Sequence, residues 1–388
     1  MTDIYSPEQE IILRACRPNL FPRHAERLSE LIGCSDVGWN RVVELALQHR
    51  VVPQLYRNLN SVGMQGIPAG PLQELSRNNL AIAGRSLLQT SHVIRVARLL
   101  DAAGIDALFY KGAILAALAY RGQARCFTDL DVLIRKSDRK RTLDLLVSDG
   151  FRPSEILPEA KQQIRVKYGF EDQYYSDGDR LRLEIHYDIS QTRFNLGIDT
   201  EGLFERSIKQ SICGVPISTL SHEDMLLFLS WHGSVNLWQP VRLIVDIAEF
   251  IGAVPDLDWT ALELRSRRLD LHRVIMIGLI LCRDVLEADL PPEAFASFRP
   301  TRAALRVAED FRKGIFSDLS APSFLAGYRQ EARAQLSLRS GLYTKCRTAF
   351  ALALTPSERD VKNNSSELTN PLISRPMRLL RKYLVRSA

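Results

Sequence analysis

Three acidic residues have the types and the spacing needed for metal-dependent chemistry. Asp129 and Asp131 are separated by one residue in an apolar segment, and Glu184 occurs in a later alternating segment. Residues two apart in a β-strand lie on the same face, so Asp129 and Asp131 are expected to project together. Mg²⁺ and Mn²⁺ prefer carboxylate oxygens as ligands. Two such ions can stabilise the attacking oxygen and the leaving oxygen in phosphoryl or nucleotidyl transfer. The spacing therefore predicts a divalent-metal site, with Glu184 as the candidate third carboxylate from a neighbouring strand.

A Lys-Gly pair precedes these carboxylates at a predicted change from strand to helix. Gly112 allows close approach of the backbone, and the following helix N-terminus offers free N–H groups to a triphosphate. Lys111 would add a full positive charge at the same point. The pair predicts a phosphate-binding turn.

The elements that must position these residues are indicated by hydrophobic periodicity. The sequence predicts a strand over Asp106–Lys111, a helix over Ala113–Tyr120, a strand over Thr128–Arg135 and a helix over Ser137–Ser148. A hairpin then follows, with strands Asp172–Ser176 and Leu181–Ile189.

The second hairpin strand alternates strictly between two kinds of residue. One face is apolar and the other carries Arg182, Glu184, His186 and Asp188. This alternation places Glu184 opposite the apolar side of its strand.

Helical patterns precede and follow this block. In the N-terminal part they cover Glu44–Leu59 and Leu72–Leu100. The later helices are predicted over Ser221–Ser234, Pro240–Gly252, Trp259–Arg268 and Asp270–Glu287. The predicted fold class is α+β, with a small mixed β-sheet core flanked by N- and C-terminal helical regions.

Four segments are expected along the chain. They are an N-terminal helical region at 1–104, an α/β core at 105–220, a C-terminal helical domain at 221–354, and a polar linker with a basic amphipathic tail at 355–388. A solvated tail helix and a tail that contacts RNA, an acidic membrane or another acidic partner both stay open.

Composition excludes several classes of protein. The 388 residues are 46% hydrophobic and 25% charged, which is typical of a folded globular chain rather than a disordered or fibrous one. The apolar runs are too short for a transmembrane segment, and the acidic first ten residues lack the pattern of a secretory signal. Six cysteines without a C-x-x-C pair argue against a zinc ribbon or a disulfide scaffold. A cytoplasmic location is expected.

The central block resembles a known family. Leu108–Leu115, Tyr120, Arg125 and Asp129–Ile134 are similar to the bacterial uncharacterised nucleotidyltransferase family (family 5) of the DNA polymerase β-like nucleotidyltransferase superfamily. The Lys-Gly and R-x-x-x-D-x-D elements also resemble AbiEii-type nucleotidyltransferase toxins. Ala113 stands where the superfamily usually has Ser or Gly.

The resemblance implies Mg²⁺-dependent transfer of a nucleoside monophosphate from an NTP to an acceptor hydroxyl, with release of pyrophosphate. Asp129 and Asp131 would hold the metals, while Glu184 would be a further ligand or the base for the acceptor. Lys111 and Gly112 would bind phosphates. Arg125 would either contact a phosphate or pair with an aspartate. The acceptor stays open among a small molecule, a tRNA and a protein.

Two alternatives of a different kind also stay open. One is a toxin-type enzyme that modifies tRNA, and the other is a non-catalytic binding module that retains the fold. His186 shares the face of Glu184, which is compatible with a place at the rim of the site or with a structural histidine. Arg242 and Asp246, four residues apart on one helix, are expected to form a surface or interdomain ion pair, with a substrate contact as the alternative.

Overall fold

The fold is described from a computed structural model, which covers residues 5–156, 158–168, 171–176, 181–191, 194, 196–317 and 332–355. It confirms the predicted α+β class, because a mixed sheet is preceded and followed along the chain by helices.

The N-terminal region is helical, as predicted. Its helices are α1 (Pro7–Ala15), α2 (Pro22–Ile32), α3 (Trp39–Gln48), α4 (Val52–Val62) and α5 (Ala69–Ala102). The prediction of one continuous helix over Glu44–Leu59 was wrong. The chain turns at Arg50, which has a left-handed φ of 59°. Pro53 lies in the first turn of α4, where its missing N–H is tolerated, whereas inside one long helix it would remove a hydrogen bond.

Five strands form the central sheet, in the order β1-β2-β5-β4-β3. They are β1 (Ala107–Phe109), β2 (Asp129–Ile134), β3 (Phe151–Pro153), β4 (Glu171–Ser176) and β5 (Arg182–His186). The β2–β5 pair is parallel and the other three pairs are antiparallel. The predicted strands are therefore present, although β5 is shorter at both ends than Leu181–Ile189.

The two parallel strands are the most buried part of the sheet. Every residue from Leu130 to Ile134 and from Leu183 to His186 is buried. Burial on both faces explains why β2 is rich in apolar residues. The polar residues of these strands are consequently held inside the protein rather than on its surface.

Shorter elements connect and follow the strands. They are α6 (Gly112–Leu118), a 3₁₀ turn (Lys136–Asp138), α7 (Arg139–Ser148), α8 (Glu159–Tyr168) and α9 (Thr200–Glu205). A separate two-stranded hairpin joins β6 (Ile208–Ile212) to β7 (Val215–Thr219). Sequence periodicity did not predict this hairpin, although Cys213 and Gly214 form its tight turn with φ of 50° and 81°.

The C-terminal helical region contains the four predicted helices and further helices after them. Its labelled helices are α10 (His222–Val235), α11 (Arg242–Ala253), α12 (Trp259–Arg268), α13 (His272–Leu286), α14 (Pro292–Ser297), α15 (Arg302–Gly314) and α16 (Leu342–Leu354). As the sequence predicts, Ser221 caps α10, because its side chain accepts a hydrogen bond from the Asp224 backbone N–H at 3.1 Å.

The expected basic tail lies outside the described residues after Thr355, and the segment boundaries stay a prediction. None of the helices described here combines the length and apolar character that crossing a lipid bilayer requires.

Trp238 fixes the packing of two C-terminal helices. Its fully buried ring lies against Gly233 of α10 and Gly278 of α13. A Cβ atom built at Gly233 would lie only 2.4 Å from the ring carbon Cζ3, so this position has no room for a side chain.

We therefore expect Gly233→Ala to destabilise the protein, by about 1–3 kcal/mol as is typical of overpacking. Gly84→Ala is the matched control, because Gly84 lies within α5 and a Cβ added there would have no atom within 4 Å. That change should raise the free energy of unfolding by up to about 1 kcal/mol through helix propensity. Urea unfolding of both variants tests the packing, and equal stabilities would contradict it.

Candidate active site

The parallel pairing of β2 with β5 brings together two of the predicted carboxylates. Asp131 is in register with Glu184, and both side chains lie on one face because their strands run side by side in the same direction. His186, two residues after Glu184, joins them. One potential ligand atom from each of Asp131, Glu184 and His186 lies within 4.8 Å of the others.

Asp131 is the electrostatic centre of this group. It is 5% exposed, and its Oδ1 accepts a hydrogen bond from Lys111 Nζ at 2.6 Å. The same Oδ1 lies 3.1 Å from His186 Nε2. Burial opposes ionisation, but the Lys111 charge and then the His186 hydrogen bond outweigh it and lower the pKa of Asp131 well below its usual range.

His186 is buried among carboxylates and is not at a rim. Its Nδ1 lies 3.4 Å from Glu171 Oε2, and its Nε2 lies 3.7 Å from Glu184 Oε2 as well as next to Asp131. Burial favours the neutral imidazole, whereas these three carboxylates favour the cation and raise the pKa of His186 to about 9. The imidazolium therefore compensates part of the negative charge, and the rim position allowed by the sequence was wrong.

Asp129 is compensated less well than Asp131, because burial and its acidic neighbours outweigh the charges of Lys111 and Arg182. It is half-buried at the start of β2. Partial burial, followed by repulsion from Asp131 and Glu184, raises its pKa. Arg182, which is in register with Asp129, instead hydrogen-bonds to Glu184. The sequence placed Arg182 on the same strand face but did not predict this pairing.

The predicted turn lies directly beside the carboxylates. Lys111 has a left-handed φ of 65° at the end of β1, and Gly112 begins α6 with a φ of 35°. A Cβ at Gly112 would lie 3.3 Å from the Phe127 ring, so glycine is required by both conformation and space. The Lys111 ammonium also lies 5.4 Å from the centre of the Tyr110 ring and 5.1 Å from that of Phe228 in α10.

Arg125 is not beside Asp129 and Asp131. It is buried and forms two hydrogen bonds with Asp246 of α11, from Nε at 2.8 Å and from Nη2 at 2.6 Å. Of the two roles left open by the sequence, the geometry matches pairing with an aspartate. Arg242 also contacts Asp246 at 3.2 Å, so the predicted ion pair is present, and it is buried rather than on the surface.

The donor set around Asp131 fits a divalent cation. Asp131 and Glu184 each supply a carboxylate oxygen to one group of possible metal ligands. Asp129 lies close enough to repel both of these carboxylates electrostatically. Oxygen donors of this type suit Mg²⁺ and Mn²⁺, and a bound cation would relieve the repulsion around Asp129.

Comparisons with known proteins give one family match. The model of a family described as uncharacterised nucleotidyltransferase matches residues 35–287. A search of curated proteins finds no match to the chain. One solved structure with similarity is the solution structure of the antibiotic-resistance factor ANT(2'')-Ia, with 16% sequence identity and a TM-score of 0.32. The alignment covers 47% of this chain and 91% of that chain.

The different surroundings of the two aspartates predict opposite effects on stability. Asp129→Asn removes a carboxylate that its neighbours repel, so the melting temperature should stay equal or rise. Asp131→Asn leaves Lys111 and His186 without their main counter-charge and should lower the free energy of unfolding by about 3 kcal/mol, typical of a broken buried ion pair. Thermal and urea unfolding of the two variants test this difference, and matching losses would contradict it.

Proposed function

Because the chain belongs to the family of uncharacterised nucleotidyltransferases, we propose that it is a Mg²⁺-dependent enzyme that transfers a nucleoside monophosphate. The donor is an NTP, the acceptor is a hydroxyl group, and pyrophosphate is released. The observation that carries this proposal is the pairing of Asp131 with Glu184 on adjacent parallel strands, with Asp129 beside them.

Asp129, Asp131 and Glu184 are the residues proposed to hold Mg²⁺ or Mn²⁺. Such an ion, when bound, neutralises phosphate charge and polarises the phosphorus centre. Burial of Asp131 and Glu184 gives these carboxylates a fixed position before substrate arrives, and such preorganisation is what electrostatic catalysis requires.

Glu184 is a ligand or the base that takes the acceptor proton. Either role requires a carboxylate beside Asp131, and Arg182 donates a hydrogen bond that helps to orient it. His186 holds Asp131 and Glu184 in place from the interior of the sheet.

Lys111 and Gly112 are proposed to bind the phosphates of the NTP. The Lys111 side chain is 21% exposed and its ammonium lies beside Asp131, so a phosphate that approaches the carboxylates can reach this side chain. Because Gly112 has no side chain, its backbone can lie close to a phosphate group. A Cβ at this position would lie 3.3 Å from the Phe127 ring, which occupies the adjacent space.

The direct test is incubation of the purified protein with each α-labelled NTP, Mg²⁺ and a cell extract. Label retained in a small-molecule, RNA or protein fraction would support transfer and identify the class of acceptor. Label retained in tRNA alone would favour the toxin-type alternative. Absence of both label transfer and Mg²⁺–NTP binding in calorimetry would contradict the proposal and favour a non-catalytic binding module.

Asp129→Asn and Glu184→Gln are expected to separate catalysis from folding. The first should abolish transfer at an unchanged or higher melting temperature, because it removes a proposed metal ligand that is not needed for stability. The second should slow the chemical step by about 10²-fold or more, with little change in NTP binding. Glu201→Gln, an exposed carboxylate of α9, is the control and should leave the single-turnover rate unchanged. Near-normal turnover in both site variants would overturn the metal-site assignment.

Lys111→Met is expected to change two affinities in opposite directions. NTP binding should weaken because a charged phosphate contact is lost, and Mn²⁺ binding in the absence of NTP should strengthen because Asp131 loses its cationic partner. Calorimetric titration with Mn²⁺ and with a non-hydrolysable NTP measures both. Unchanged NTP affinity would mean that Lys111 serves only as the counter-ion of Asp131.

A further inference from the structure

A second buried charged cluster lies outside the carboxylate group. It consists of Tyr120, Arg125, Arg242 and Asp246. Asp246 accepts four hydrogen bonds, from Tyr120 Oη at 2.7 Å, Arg125 Nε at 2.8 Å, Arg125 Nη2 at 2.6 Å and Arg242 Nη1 at 3.2 Å. Both carboxylate oxygens are thus fully engaged, and Asp246 has no capacity for another donor.

The charges of this cluster do not balance. Two guanidinium groups share one carboxylate. Arg125 donates a hydrogen bond to each oxygen of that carboxylate. Within the described part of the chain, the 3.2 Å contact with Asp246 is the one hydrogen bond that the Arg242 guanidinium donates, and its buried Nε has no acceptor. Buried charges are normally compensated by partners, so the excess positive charge at Arg242 would be stabilised by an anionic group.

The nearest charges increase this imbalance. Arg242 is 7% exposed, and burial together with the charges of Arg125 and Arg50 lowers its pKa despite the presence of Asp246. By comparison, the buried Arg17 has its own carboxylate, because its Nε lies 2.5 Å from Glu249 Oε1. Arg17 therefore differs from Arg242 in having a carboxylate that it does not share with Arg125.

His232 connects this cluster with the proposed active site. Its ring stacks on Phe228 of α10, the same ring over which the Lys111 ammonium lies. Burial, and then the charges of Lys111 and Arg242, lower the pKa of His232 to about 3. The imidazole is therefore a neutral hydrogen-bonding group within electrostatic reach of both cations.

We propose that Arg242 binds a phosphate-like anionic group of a substrate next to the carboxylate site. This inference rests on the proposed function and extends it, because the substrate would span from Lys111 to Arg242. The anion is either the triphosphate of the NTP or an anionic group on the acceptor. A guanidinium that shares its carboxylate with a second arginine suits such an anion because it presents several N–H donors in one plane.

The test combines Arg242→Met with Arg17→Met as the matched buried control. Binding of inorganic phosphate, tripolyphosphate and a non-hydrolysable NTP is measured by calorimetry, and stability is measured by thermal unfolding. Removal of Arg242 leaves Arg125 and Asp246 as a balanced pair, so the melting temperature should stay equal or rise. Arg17→Met should lower it, because Glu249 is left buried without a partner, and should leave anion affinity unchanged.

The affinities distinguish the two sources of the anion. Arg242→Met should weaken phosphate binding about tenfold or more, as expected for a lost charge-assisted hydrogen bond. If the NTP supplies the anion, the affinities for tripolyphosphate and NTP fall as well. If the acceptor supplies it, NTP affinity is retained while phosphate affinity falls.

Two results would overturn the inference. One is unchanged affinity for all three probes in Arg242→Met, and the other is loss of folding in that variant, which would assign Arg242 a structural role. A measurement on the unaltered protein adds an independent check, since phosphate should raise its melting temperature more than chloride does at equal ionic strength. These binding measurements need no turnover, so they can test the anion site even if the protein shows no transferase activity.

Discussion

The parallel pairing of β2 with β5 is the constraint on which the site depends. It places Asp131 directly opposite Glu184 inside the protein, where like charges are costly unless cations accompany them. Lys111 from the β1–α6 turn and His186 from β5 supply those cations. Because a slip of one residue would turn the Glu184 face away from Asp131, the register of this one strand pair determines whether Asp131 and Glu184 meet at all.

Asp246 is a second point at which distant segments meet. It binds Tyr120 and Arg125, which belong to the connection between α6 and β2, and so ties α11 to the segment that leads into Asp129. Arg242 shares the same carboxylate and retains an excess of positive charge. The helical region thus both supports the strand that carries the aspartates and places a cation where an anionic substrate group would bind.

Local patterns in the sequence predicted much of this arrangement. Period-two alternation located the strands and correctly placed Asp129 with Asp131 and Glu184 with His186 on shared faces. Alternation cannot reveal which strands pair or in what register, so the alignment of Asp131 with Glu184 came from the structure. The partner of Arg125 lies 121 residues away and has no local signal, which is why the sequence left its role open. Hydrophobic periodicity also continued through Arg50, where Pro53 and a left-handed residue divide one predicted helix into α3 and α4.

The central claim is that Asp129, Asp131 and Glu184 hold one divalent-metal site. Affinity cleavage with Fe²⁺ and ascorbate tests it directly, because hydroxyl radicals released at a bound metal cut the nearby backbone. The account predicts cleavage at two segments far apart in sequence, around residues 129–131 and around residues 182–186, with both cuts suppressed by excess Mg²⁺ and lost in Asp129→Asn. Cleavage elsewhere, or cleavage that Mg²⁺ does not suppress, would contradict it.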